Sequence, residues 1–83
     1  MKDPDNWWDG RRVLVTGAAG FLGQWIRERL DPAATFIGTD ILQPHDQAYE
    51  YQPLDVLDPI GAADTIRRFR PHVIIHLAGI SHI

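Results

Sequence analysis

The sequence predicts an α/β fold with a parallel sheet, in which the elements follow one another in the order β-α-β-β-α-β. Three observations carry this prediction. Short apolar runs, such as residues 12–16, lack the alternation typical of half-exposed strands, so they are expected to be buried on both faces. Apolar residues at helical spacing fall between these runs. Proline-containing turns separate the segments, and strands joined by helices favour right-handed parallel crossovers.

The first part of the chain divides into a lead-in, a strand and a helix. Residues 1–10 are polar and contain proline and glycine, so they are interpreted as a lead-in segment before the domain at residues 11–83. Residues 12–16 form the first strand. A helix is predicted from Phe21 to the Asp-Pro pair at residues 31–32. Its apolar face is predicted to contain Phe21, Leu22, Trp25, Ile26 and Leu30.

Three further strands are predicted at residues 35–40, 49–55 and 72–79. Pro53 lacks an amide donor, which confines the second of these strands to a sheet edge or a terminus. If the strands adopt the order 3-2-1-4 of a nucleotide-binding half-sheet, the last strand lies at an open edge. Because its apolar composition suits a sheet interior, we expect another segment or a second chain to cover it, for example in a homodimer.

A second helix is predicted before the last strand. Asp58 followed by Pro59 is typical of a helix start, with an N-cap side chain before a proline at the first helical position. The helix should end near residue 70, and its apolar face is predicted to contain Ile60, Ala63, Ile66 and Phe69. The basic residues near its end, Arg67, Arg68 and Arg70, lie where cations interact favourably with the helix dipole, which explains them without a nucleic-acid partner.

Composition limits the classes of partner. The chain has 83 residues, a formal net charge of −3 and no cysteine, which argues against a basic nucleic-acid surface and excludes disulfides and thiolate metal sites. The four histidines fall at spacings that match no recognised ligand set, so no metal site is predicted. No apolar run reaches membrane-spanning length, and the first residues do not resemble a signal peptide. We expect a cytoplasmic protein with no membrane partner.

Three glycines lie between the first strand and the first helix: Gly17, Gly20 and Gly23. Glycine in this position gives a tight turn, close approach to a pyrophosphate and close packing of helix on strand. Asp40 follows at the end of the second strand, about 20 residues on, where an acidic side chain binds ribose hydroxyls. The spacing predicts nucleotide binding. The alternative is that the glycines serve only as a tight turn.

The same residues resemble a known family. The stretch TGAAGFLG at residues 16–23 resembles the TGxxGxxG signature of extended short-chain dehydrogenases/reductases. HLAGISHI at residues 76–83 is similar to the HLAAxSHV stretch of nucleotide-sugar 4,6-dehydratases and their relatives among the epimerases and reductases. The resemblance covers residues 7–83 and implies a partial Rossmann fold, the N-terminal part of an NAD-binding domain.

The resemblance implies roles for the residues around the glycine turn. Gly17, Gly20 and Gly23 would bind the pyrophosphate, with Phe21 and Leu22 at the helix start. Asp40 would accept hydrogen bonds from the adenosine ribose. Because its carboxylate repels a 2′-phosphate, NAD is favoured over NADP as the cofactor.

Other cofactor contacts are implied further along the chain. LDV at residues 54–56 resembles the family's adenine-contacting pair, so Asp55 would bind the adenine amino group with Val56 beside it. The alternative for Asp55 is an ordinary turn residue. The end of the last predicted strand would line the cofactor beneath the ribose, through Leu77, Ala78 and Gly79, with Ser81 as a pocket residue.

No catalytic residue is assigned. The family uses a tyrosine and a lysine four residues later, but neither Tyr49 nor Tyr51 has such a partner, and the only lysine is Lys2. The chain alone is therefore expected to be inactive. In the intact protein, the resemblance implies an NAD-dependent epimerase or dehydratase with a nucleotide-sugar substrate. The alternative is a non-catalytic half-Rossmann module that binds an adenine nucleotide or a partner chain.

Overall fold

A four-stranded parallel sheet forms the centre of the computed structural model, which describes residues 6–41 and 49–78. The strands are β1 (Arg12–Thr16), β2 (Thr35–Asp40), β3 (Glu50–Pro53) and β4 (Val73–His76). They lie in the order β3-β2-β1-β4. The predicted α/β class, the order of elements and the order of strands are confirmed.

In the described part of the chain, two helices connect the strands: α1 (Phe21–Arg29) follows β1, and α2 (Pro59–Phe69) follows β3. Asp58 is the N-cap of α2, and its carboxylate accepts hydrogen bonds from the backbone N–H groups of Ile60 and Gly61. Arg70 follows the last turn of α2 with φ 46°, in the left-handed region that ends helices. Both ends of α2 therefore agree with the sequence prediction.

The buried core lies on β1 and β2. Residues 13–15 of β1 and Ile37 of β2 are at most 2% exposed. Leu14 pairs with Ile37 in the parallel register, so neighbouring strands place apolar side chains on the same face. On the other face, Val13 and Val15 form a cluster with Ala18, against which partly buried residues pack: Trp8, Leu30, Ala34, Phe36, Val73, Ile75 and Leu77. The central strands are thus buried on both faces, as predicted.

Helix α1 packs on the sheet through only part of the predicted apolar face, and Leu30 packs against the core as predicted. Gly23 is buried, and Ile26 is half-buried. Three members of the predicted apolar face are exposed, so the prediction is wrong for them: Phe21, Leu22 and Trp25. The reason is steric. Because Gly23 has no side chain, the helix backbone packs directly on Ala18 and the larger residues are rotated outward.

Helix α2 also buries a small residue and exposes large apolar ones. Thr65 is its buried residue, and Ala63 and Phe69 are half-buried. Ile60 and Ile66 are exposed, so the predicted apolar face is wrong at these two positions. The Thr65 hydroxyl donates a hydrogen bond of 2.8 Å to a backbone carbonyl one turn earlier in the helix. The hydroxyl can therefore be buried and still have a hydrogen-bond partner.

Residues 6–10 form turns that lie beside the α1–β2 connection. The Gly10 N–H donates to the Ala33 carbonyl at 3.0 Å, and the Asn6 side-chain amide donates to Asp31 at 3.2 Å. Strand β3 occupies the opposite part of the sheet as an edge strand, the position that Pro53 predicted. Within residues 6–41 and 49–78, neither helix is long and apolar enough to cross a membrane.

Candidate functional site

The turn between β1 and α1 forms the centre of the candidate site. Gly17 has φ 73°, a backbone conformation that residues with a Cβ rarely adopt. A Cβ at this position would lie 3.0 Å from the Ala78 nitrogen and 3.1 Å from the Leu77 carbonyl carbon. Gly17 therefore allows both the sharp turn and the close approach of the backbone that follows β4.

Gly23 brings the first turn of α1 against the end of β1. A Cβ at Gly23 would overlap the backbone of Ala18, with the Ala18 carbonyl carbon at 2.6 Å. Rigid backbone cannot move aside for a side chain at this distance. The close packing fixes where the helix N-terminus lies relative to the sheet.

Gly20 is the N-cap of α1, and protein packing does not explain its lack of a side chain. A Cβ there would be 3.5 Å from the Gly17 carbonyl oxygen, an ordinary van der Waals distance. Among the residues that the structure describes, no side chain caps this helix end. A helix N-terminus presents N–H groups and positive potential, which suit an anion that approaches the backbone. Packing among the described residues therefore gives no reason for a glycine at position 20.

Asp40 lies at the carboxyl end of β2, next to this turn. One carboxylate oxygen accepts a hydrogen bond from the Ala19 N–H at 3.0 Å, and the other accepts from the Ile41 N–H at 2.7 Å. The Asp40 carbonyl accepts from the Leu54 N–H at 3.0 Å and from the Tyr51 hydroxyl at 2.8 Å. The structure therefore brings together the glycine turn and the acidic residue that the sequence singled out.

Thr16 connects the glycine turn to β4, and sequence reasoning gave it no role. Its buried hydroxyl accepts hydrogen bonds from the N–H groups of Leu77 at 3.0 Å and Ala78 at 3.3 Å. With two donors already bound to it, the hydroxyl donates its own proton to Nδ1 of His76 at 2.7 Å. The signal available in the sequence was its place as the first residue of the TGxxGxxG stretch.

Asp55 forms a turn in this structure. Its carboxylate accepts a hydrogen bond from the Leu57 N–H at 2.9 Å, and its carbonyl accepts from the Asp58 N–H at 2.9 Å. This is the geometry of the turn residue that sequence reasoning kept as the alternative. Asp55 is exposed, and the neighbouring Val56 is half-buried. A contact with adenine remains a prediction.

A groove of about 510 Å³ lies between the end of β3 and α2. It contains Asp55 but not the glycine turn, so it extends to one side of the candidate site. Its polar lining includes three aspartates and a glutamine–arginine pair, whose Arg68 and Gln52 side chains hydrogen-bond at 2.6 Å.

The two tyrosines of the chain lie on the sheet side of the site. Burial raises the pKa of Tyr51 above its usual value, and the negative charge of Asp40 raises it further. A tyrosine that acts as a base near neutrality needs the opposite change. Tyr49 lies across β2, with its ring 5.0 Å from that of Phe36.

The remaining predicted site residues lie around the turn or outside the part of the chain that the structure describes. Phe21 and Leu22 begin α1 and are 81% and 45% exposed. Leu77 and Ala78 lie against Gly17. Gly79 and Ser81 fall outside the described residues.

The fold and the turn together define a class. A parallel sheet carries a glycine turn after β1, a helix N-terminus behind that turn and an acidic side chain at the end of β2. This arrangement is that of a nucleotide-binding α/β domain of the Rossmann type.

The comparisons with known proteins agree with this class and name the family. Residues 13–83 match the NAD dependent epimerase/dehydratase family, and the chain belongs to it. The chain is 40% identical over 83 residues to dTDP-L-rhamnose 4-epimerase from Burkholderia thailandensis, with 84% of this chain and 23% of that protein covered. It is 37% identical over 70 residues to methionine adenosyltransferase 2 subunit beta from Xenopus tropicalis, covering 83% of this chain and 20% of that protein.

A solved structure also resembles this fold. Aldohexose dehydrogenase from Thermoplasma acidophilum superimposes with a TM-score of 0.72 and 28% identity, covering 87% of this chain and 31% of that one. The chain thus spans 20% and 23% of the length of the two relatives and about a third of this structure. The resemblance to extended short-chain dehydrogenases/reductases is confirmed at the level of the family.

Proposed function

We propose that this chain forms the adenosine and pyrophosphate side of the NAD site in a nucleotide-sugar epimerase or dehydratase. The observation that carries the proposal is the hydrogen bond between the Ala19 N–H and the Asp40 carboxylate. It links the two parts that bind different ends of the same ligand fragment, the glycine turn and the acidic end of β2. The family that the chain matches is NAD dependent, which supports the same cofactor.

Each part of the turn has a distinct task in this proposal. Gly17 shapes the turn, Gly23 places the helix, and Gly20 leaves room for the pyrophosphate at the N-terminus of α1. Asp40 accepts hydrogen bonds from the adenosine ribose, since the end of the second strand is where an acidic side chain binds ribose hydroxyls in dinucleotide-binding folds. Its negative charge disfavours a 2′-phosphate, which selects NAD over NADP.

The other contacts in the proposal lie on the adenine and nicotinamide sides. Asp55 and Val56 would contact the adenine, and the residues after β4 would lie beneath the ribose, with Ser81 in the pocket. Bound NAD supplies a hydride acceptor for the sugar. No residue of this chain is assigned to proton transfer, because the lysine of the family's tyrosine–lysine pair has no counterpart in residues 3–83.

The nucleotide-sugar substrate is proposed because one relative is a dTDP-L-rhamnose 4-epimerase and because the chain belongs to the epimerase/dehydratase family. A relative that is a subunit of methionine adenosyltransferase 2 favours a second candidate, a nucleotide-binding subunit without hydride transfer. The two candidates differ in chemistry. Formation of bound NADH when a dTDP-sugar is added to the NAD-loaded intact protein supports the enzyme, and its absence with retained NAD binding supports the subunit.

Calorimetric titration with ADP tests the site. ADP carries the adenosine and pyrophosphate groups alone, so we expect it to bind to the purified protein and to compete with NAD. Gly20→Ala should weaken ADP binding by about tenfold or more, because the proposal places the phosphate against the backbone of Gly20, where a Cβ would take up space. It should reduce the free energy of unfolding by no more than about 1 kcal/mol, the effect of an alanine N-cap. ADP affinity unchanged in Gly20→Ala would contradict the proposal.

A further inference from the structure

We propose that Asp40 is also a positioning residue for the pyrophosphate-binding turn. This inference rests on the proposed nucleotide site and adds a second role to a residue otherwise expected to contact only the ribose. Asp40 would hold the turn in its binding conformation before the ligand arrives. Its removal would then weaken the binding of the diphosphate group itself, even in a ligand without ribose hydroxyls.

The first argument is the way the turn is attached to β2. Two successive N–H groups of the turn donate to the end of this strand: Ala18 to the Thr39 carbonyl at 3.0 Å, and Ala19 to the Asp40 carboxylate at 3.0 Å. The second bond is the last attachment before the N-cap Gly20. It is also made by a charged acceptor, which forms stronger hydrogen bonds than a neutral one.

The second argument is that the Asp40 side chain is itself held in place. Its other carboxylate oxygen accepts from the Ile41 N–H at 2.7 Å, so each oxygen is bound to a backbone amide. Its backbone carbonyl accepts from Leu54 and Tyr51, which tie the residue to the segment around β3. A side chain anchored in this way can transmit the position of the sheet to the turn.

The third argument concerns entropy. The turn contains Gly17 and Gly20, and glycine has more conformational freedom than any other residue. Ordering such a turn during binding would reduce affinity, whereas a turn that is already ordered avoids the loss. The hydrogen bonds from Ala18 and Ala19 both lie between the two glycines, and the bond from Ala19 restrains the residue directly before Gly20.

Two ligands separate the two roles of Asp40. ADP presents both ribose hydroxyls and the diphosphate, whereas 2′,3′-dideoxy-ADP presents the diphosphate without the hydroxyls. We expect Asp40→Ala to weaken binding of the dideoxy ligand by about fivefold, as for loss of one hydrogen bond, and to weaken binding of ADP further. Asp40→Asn keeps an oxygen that can accept from Ala19 and should regain part of the dideoxy-ADP affinity.

Asp31→Ala is the matched control. Asp31 also accepts a backbone N–H through its carboxylate, from Ala33 at 2.8 Å, but it follows α1 at the other end of that helix. Its replacement should leave the affinity for both ligands unchanged.

Amide hydrogen exchange distinguishes local loosening from general destabilisation. In Asp40→Ala, exchange at Ala19 should accelerate while exchange at Val15, in the core of β1, stays as in the wild type. Dideoxy-ADP binding equal in wild type and Asp40→Ala would overturn the positioning role but leave the nucleotide site intact. A wild-type protein that binds neither ligand would overturn the proposed function and, with it, this inference.

Discussion

At the scale of single residues, Asp40 determines the expected choice of cofactor. Asp40→Ala should weaken NAD binding by about tenfold or more, since a hydrogen bond to a charged group contributes about 1.5–3 kcal/mol. NADP binding should fall less, because the charge that repels its 2′-phosphate is also removed. The ratio of the two dissociation constants, measured by calorimetry in wild type and variant, should therefore shrink. An unchanged ratio would mean that Asp40 does not contact the ribose.

We expect His72 to make the stability of the protein depend on pH. Its Nδ1 accepts a hydrogen bond from the Arg12 N–H at 2.9 Å, which requires an unprotonated nitrogen. Partial desolvation of the ring, together with the positive charges of Arg12 and Arg11, lowers the pKa of His72 below its usual value. The unfolded chain therefore takes up the proton at higher pH than the folded chain. The stabilising effect is complete above about pH 6.5 and is lost as the pH falls below it.

The variant His72→Asn tests this pH dependence. The asparagine oxygen can accept the same N–H but does not titrate. Between about pH 7.5 and about pH 5.5, the free energy of unfolding should fall more in the wild type than in His72→Asn, as measured by urea denaturation. Parallel decreases in the two proteins would assign the acid sensitivity to other groups.

At the scale of elements, α2 depends on its N-cap. Asp58→Ala removes the acceptor for two N–H groups, at 3.2 Å each, and should lower the free energy of unfolding by about 1 kcal/mol. Asp64→Ala is the control on the same helix. It breaks an exposed ion pair with Arg67, which should change stability by less than about 0.5 kcal/mol. Equal effects of the two variants in urea denaturation would contradict a specific capping role.

The elements show which features of the fold a sequence can predict. The start of α2 follows from local chemistry, because Asp58 and Pro59 act on the first turn alone. The inward faces of the helices were not predictable in the same way. They depend on how closely Gly23 and Thr65 approach the sheet, and a pattern of large apolar residues contains no information about small ones.

The candidate site likewise has features that the sequence predicted and contacts that it did not. Glycine spacing predicted the turn, and chain position predicted that Asp40 would lie beside it. The bond from Ala19 to Asp40 and the bonds from the residues after β4 to Thr16 join segments more than twenty residues apart in the chain. Such contacts depend on the register of the strands, which could not be predicted from the sequence pattern.

At the scale of the whole molecule, much apolar surface is exposed. Leu57, Phe21 and Ile60 are between 74% and 86% exposed, and Ile74 on β4 is half-exposed. Apolar surface of this kind on a small domain marks places where other protein segments pack. The exposed side chains of α1 and α2 and the β4 edge are therefore candidate contact surfaces within a larger assembly.

Strand β4 provides the sharpest test at this scale. Within residues 6–41 and 49–78 it pairs with β1 on one side only. Val73, Ile74 and Ile75 include none of the charges or prolines that protect natural edges, whereas β3 contains Glu50 and Pro53. We therefore expect the chain to self-associate through β4, and Ile74→Lys to reduce that association in sedimentation velocity experiments.

Ile60→Lys distinguishes association through the β4 edge from association through the apolar surface of α2. Ile60 is 74% exposed on α2, so the substitution adds the same charge to the apolar surface without altering the β4 edge. If strand pairing drives association, Ile60→Lys should sediment like the wild type, while Ile74→Lys becomes monomeric. Amide exchange at residues 73–76 should then be faster in Ile74→Lys than in the associated wild type. A wild-type monomer with slow exchange at these four residues would mean that another segment of the same chain already covers the edge, and would remove the physical basis for association at β4.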